Sequence, residues 1–95
     1  MTSRGSSADI ARGHDFVSRV FGPAVGVPED PVTGSAHCGI APYWASALGK
    51  EVLTGYQASE RGGEVVCSMA TKGRVGLEGS AVSVTSGKYL LPLNV

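Results

Sequence analysis

A chain of 95 residues with 42% hydrophobic content is long enough for one compact core and too short for two, so residues 1–95 are read as a single domain. Eight basic residues against eight acidic ones, with no basic run, leave no electrostatic footprint for nucleic acid, and a small neutral solute or anion is the better class of partner. Residues 1–15 lack an apolar run of signal-peptide length, and the longest uncharged segment is interrupted by Pro42, so no membrane partner and a cytoplasmic location are expected.

Residues 1–12 hold Gly, Ser and Arg with Ile10 as the one bulky apolar residue beyond Met1, and read as a clipped arm or a short strand followed by a loop. His14 to Phe21 alternates as a strand, with Phe16, Ser18 and Val20 on one face; His14, in a polar context, is expected at the surface. Gly22-Pro23 ends that strand, and Gly26 and Pro28 lead into an Asp30-Pro31 turn.

Between Asp30 and Lys50 no charged residue occurs. At helical spacing Ile40, Tyr43, Trp44, Ala47 and Leu48 form one face, and Ala36, Gly39, Ala41 and Ala45 the other. A helix without a polar side belongs in an interior, wrapped by other elements, and Tyr43 and Trp44 are expected in the core. Thr33 is the expected N-cap and Gly49 the stop, while Pro42 in the interior predicts a kink or local break.

After Gly49 the pattern switches to a period near two. Strands are expected over 51–57, 64–70, 74–78, 81–85 and 89–91, separated by turns at Gly62-Gly63, Gly73, Gly79-Ser80 and Gly87. An amphipathic sheet must cover something, and the apolar helix is the available core. The predicted fold is therefore α+β, a curved and mainly antiparallel sheet wrapped around one central helix.

Chemistry can gather at the helix start. Its first N–H groups lack intrahelical partners and carry the positive end of the helix dipole, which favours a carboxylate or phosphate. Gly34 permits close approach, Ser35 adds a hydroxyl, and Asp30 lies just upstream as an acid or base; the structural alternative is that Thr33 and Ser35 merely cap and Asp30 fixes a turn. His37 is either a neutral donor to a ligand or a hydrogen-bonded core histidine. Cys38 and Cys67 are expected as buried thiols without a disulfide. His37 and Cys38 point about 100° apart on a helix, and no zinc-type spacing exists, so no metal is expected.

These residues carry a resemblance. Asp15 to Arg19, Phe21-Gly22-Pro23, the Glu29-Asp30-Pro31-Val32-Thr33-Gly34-Ser35-Ala36-His37 run, Ala41 to Trp44, Leu48-Gly49-Lys50, Gln57 to Gly63 and Gly73 to Gly79 resemble the phenazine-biosynthesis (PhzF-like) isomerase family. The likeness covers nearly the whole chain but only the second half of that family. Its members resemble diaminopimelate epimerase in fold: two similar lobes, each a sheet round a helix, with the active site where the two helix starts meet. The resemblance implies that residues 1–95 correspond to the C-terminal lobe and that Asp30 and Ser35 are active-site positions. It also implies that the Gly34 and Ser35 amides hold a substrate carboxylate, with Thr33 and His37 beside them, and that no cofactor is needed.

The family's chief proton-transferring glutamate lies in the first lobe, and no residue here inherits it. Three readings follow. A homodimer rebuilds the two-lobed cleft, where two neighbouring Asp30 carboxyls share a proton and act as acid and base on a small carboxylate. Alternatively, the chain is a non-catalytic anion-binding or interaction module, or a truncated member that is inactive or pairs with a separate first lobe.

Overall fold

The computed structural model describes residues 1–90. Strand β1 (Thr2–Arg4) is followed by a short helix α1 (Ser7–Ala11) where a loop was expected. The helix forms because Ser6 and Asp9 make a reciprocal capping box: the Asp9 N–H donates to Ser6 Oγ, and Asp9 Oδ2 accepts from the Ser6 N–H at 2.8 Å. The Ser6 hydroxyl, which donates to Asp9 Oδ2 at 2.7 Å, and after it the Ser6 N–H hold the Asp9 carboxyl below its ordinary pKa.

The strand predicted over 14–21 divides at Arg19 into β2 (Phe16–Ser18) and β3 (Val20–Gly22), which join different sheets. After a single 3₁₀ turn at Pro23–Val25, closed by Gly26 at φ +85°, β4 (Val27–Asp30) pairs back on β3. Helix α2 (Gly34–Leu48) follows, then β5 (Val52–Gln57), β6 (Gly63–Ser68) and β7 (Gly76–Glu78).

The main sheet runs β1-β2-β5-β6-β7, with α2 lying in the crossover that joins the one parallel pair, β2 and β5. Its other pairings are antiparallel, so the expected α+β architecture of a mainly antiparallel sheet against one main helix is the one observed.

The buried side of the sheet follows strand alternation. Leu53, Gly55 and Gln57 point inward from β5, Val65 and Cys67 from β6, and Phe16 and Ser18 from β2. Against them α2 presents His37, Ile40, Ala41, Trp44, Ala45 and Leu48, one continuous stripe at helical spacing. Phe16 stacks parallel to Trp44 with ring centroids 6.3 Å apart, and the Trp44 indole N–H donates to Thr2 Oγ1, tying β1 to the helix.

Helix α2 starts after Thr33 and stops at Gly49 as expected, with Gly49 at φ +66°, and it runs through Pro42 without a break. The expectation of a helix enclosed on all sides is corrected. Cys38, Gly39, Pro42, Tyr43, Ser46 and Ala47 form an exposed outer stripe, Tyr43 at 62% exposure, because the sheet of this chain packs on one side of α2 only.

His14 is a second correction. It is buried rather than superficial, stacked on Tyr56 at 4.7 Å with its Nε2 bonded to Glu64 Oε1 at 2.7 Å. The expected strand over 81–85 is absent. Residues 79–90 leave the sheet edge after three-residue β7 and pair with no strand among the described residues, and Val82 and Val84 stand almost fully exposed. Tyr89 and Leu90 form no strand either, and Leu91 lies outside the described residues. The radius of gyration, 16.1 Å, exceeds the roughly 12 Å of a compact domain of this length, as a segment standing off its own core requires.

The cysteines separate. Cys67 is buried, and desolvation, with Cys38 nearby, pushes its thiol up to about 11; Cys38 is exposed on the outer stripe of α2. Because the thiolate is the reacting species, a thiol reagent at pH 8 should titrate one cysteine per native monomer, the second reacting only after denaturation. Two equally fast thiols would contradict this core.

Candidate functional site

Asp30, Thr33, Gly34, Ser35 and His37 are brought together by the passage from β4 into α2. Four anchors hold that passage. Arg19 grips Glu29 with two parallel bonds of 2.8 and 3.0 Å, which lower the Glu29 pKa and raise that of Arg19. Ser59 donates to the Pro31 carbonyl at 2.9 Å and accepts the Gly62 N–H at the same distance, fastening the β5–β6 turn to the loop. Gly63 lies against Val32 so closely that a Cβ there would fall 2.0 Å from Val32 Cγ2.

The fourth anchor is a residue that the motif reading missed. Gln57, fully buried at the end of β5, accepts the Thr33 N–H on Oε1 at 2.7 Å and donates from Nε2 to the Asp30 carbonyl at 2.8 Å and to Thr33 Oγ1 at 3.1 Å. A signal existed: strand alternation puts Gln57 on the inward side with Leu53, and a buried amide must be satisfied by something.

Thr33 occupies the N-cap position, yet its hydroxyl caps no helix N–H and instead donates to Asp30 Oδ2. The cap and the candidate acid are thus one unit. Asp30 is half-buried, whereas Gly34 and Ser35 are exposed at the opening of α2. His37 is fully buried in the core, 5.8 Å from the Phe16 ring, with Nδ1 against the Thr33 carbonyl at 2.6 Å. A carbonyl only accepts, so Nδ1 carries the proton; Nε2, facing Gly55, has no partner among the described residues.

The helix start opens on a groove of about 750 Å³ between Val32 and Gly34, the Arg61–Val65 turn and the segment from Leu77 to Val84. Arg61 also lines a smaller neighbouring groove beside Glu29, Pro31 and Ser59. Of the candidate residues only Gly34 lines the larger groove, and Asp30, Thr33, Ser35 and His37 line neither, so what the grooves themselves offer a small anionic molecule is the helix opening at Gly34 and the Arg61 guanidinium. Among the described residues no cluster of three His, Cys, Asp or Glu could hold a metal ion, and no helix is long and apolar enough to cross a membrane.

Residues 3–87 match the family model described as phenazine biosynthesis-like protein. An uncharacterized isomerase of Pseudomonas aeruginosa is 57% identical over 77 residues, covering 81% of this chain and 29% of the relative. A phenazine biosynthesis-like domain-containing protein of Rattus norvegicus is 47% identical over 87 residues, covering 92% of this chain and 30% of its own length. The crystal structure of a phenazine biosynthesis PhzC/PhzF protein from Clostridium difficile superposes with a TM-score of 0.74 at 40% identity, over 95% of this chain and 32% of that one. The chain therefore spans about a third of the length of the relatives it matches.

Proposed function

The chain belongs to the phenazine biosynthesis-like protein family, and from that premise we propose that it is one lobe of a cofactor-independent isomerase acting on a small carboxylate-bearing substrate. Two copies associate about a two-fold axis and bring their helix starts to one cleft. One Asp30 carboxylate takes a proton from a substrate carbon while the carboxyl of the second copy returns one to another position, so charge and electrons balance without a co-reactant. The Gly34 and Ser35 amides, the Ser35 hydroxyl and Arg61 hold the substrate carboxylate, and the Thr33 and His37 side chains steady the loop and helix start from within.

The observation that carries this reading is the Asp30 carboxylate, with one oxygen engaged by Thr33 at the mouth of a helix start and the other without a hydrogen bond among the described residues. A second reading, a non-catalytic module that binds small anions or a partner, draws on the share of its relatives that the chain spans, 29% and 30%.

Light scattering across a dilution series separates the two, joined to deuterium incorporation from D₂O into small carboxylates. A dimer that buries the outer stripe of α2, slows Cys38 alkylation and exchanges deuterium supports the isomerase. A persistent monomer without exchange overturns it in favour of the binding module.

A further inference from the structure

We infer that Gln57 is a positioning residue that sets the direction of the Thr33 hydroxyl and thereby selects which Asp30 oxygen is free to carry a proton, an inference that rests on reading Asp30 as the proton-transferring group. Hydrogen-bond chemistry leaves one arrangement. The Thr33 N–H can only donate, so it requires Oε1 of Gln57; the Asp30 carbonyl can only accept, so it requires Nε2. Flipping the amide would set a donor against a donor and an acceptor against an acceptor in a site without solvent, since Gln57 is fully buried.

With the amide locked, its second Nε2 hydrogen points to Thr33 Oγ1. That oxygen is then an acceptor towards Gln57, and its single proton goes to Asp30 Oδ2. Oδ2 is engaged, and Oδ1 is left to take and release a proton. A threonine without Gln57 would be free to rotate among staggered positions, and in those that leave Asp30 its hydroxyl would donate to solvent instead.

Nuclear magnetic resonance on the labelled full chain tests this relay without any substrate. In Thr33→Val, which keeps the shape and removes the hydroxyl, one Gln57 side-chain N–H should lose protection while the other, held by the Asp30 carbonyl, keeps it. In Gln57→Met the Thr33 hydroxyl should exchange at least about tenfold faster, and the deuterium isotope shift that it imparts to the Asp30 carboxyl carbon should vanish. Thr33→Ser, which keeps both the hydroxyl and Gln57, should retain that shift.

A merely structural Gln57 would lower stability and leave the isotope shift in place. If Gln57→Met does not fold, the Thr33→Val measurement decides alone: two unaffected Gln57 N–H groups overturn the relay. An intact relay in a chain whose Asp30→Asn variant still exchanges substrate protons overturns the reaction assigned to Asp30, and with it the role of Gln57 in that reaction. A missing relay leaves the reaction untouched and removes Gln57 from it.

Discussion

Gly55→Ala is expected to cost about 3 kcal/mol, a large part of the stability of a domain this size, seen as a lower urea midpoint at unchanged slope. An added Cβ would lie 2.4 Å from Cζ and 2.6 Å from Cε2 of Phe16, inside any real carbon contact. The ring has nowhere to go. Phe16 is fully buried, stacked on Trp44 on one side and beside His37 on the other, and Nε2 of His37 would itself be 3.2 Å from the new methyl. Relief requires tilting Phe16 off Trp44 or moving β5 away from α2, and both open the core. Gly39→Ala makes the contrasting case: nothing lies within 4 Å of its added methyl on the outer stripe of α2. There the gain in helix propensity should stabilise the monomer by roughly 0.5–1 kcal/mol. Equal effects at the two glycines would mean that the Phe16 packing is misread.

How much of this was legible in the sequence depends on how local each cause is. The stop of α2 was readable because Gly49 acts within one turn, and the Arg61-Gly62-Gly63 turn because Gly62 adopts φ +75°; the start fell at Thr33 as expected, although its hydroxyl turns to Asp30 rather than to a helix N–H. Which side of α2 faces the sheet was not readable. Both sides are apolar or small, and only the inward residues of β5 and β6 select the stripe from His37 to Leu48 that leaves Tyr43 outside.

His14 failed for a different reason. Its neighbours Gly13 and Asp15 suggest a surface, but its burial comes from Tyr56 and Glu64, far away in sequence. Residues 81–85 alternate as a strand should, yet a strand exists only beside another, and alternation carries no information about the partner. At the site, Asp30, Thr33, Gly34, Ser35 and His37 sit on one contiguous motif, so their proximity followed from helix geometry, whereas Gln57 reaches the loop only because β5 ends beneath it.

Asp30→Asn should reduce deuterium exchange by about 10²- to 10⁴-fold, the usual size of a lost general acid or base, while leaving the fold standing. Asparagine still offers an oxygen to the Thr33 hydroxyl, so the cost in stability is that of a charge-assisted bond made neutral, about 1 kcal/mol. That separation between chemistry and folding gives the variant its force, and it also allows the dimer to be tested by mixing. In a cleft that needs both Asp30 carboxyls, an equal mixture of wild type and variant, allowed to exchange subunits, retains about a quarter of the activity because only one pairing in four is complete. A site that each copy completes alone would retain about half. A curve that follows the square of the wild-type fraction requires an Asp30 from each copy. A linear curve would return the reaction to the single lobe and leave the second copy with no chemical part in it.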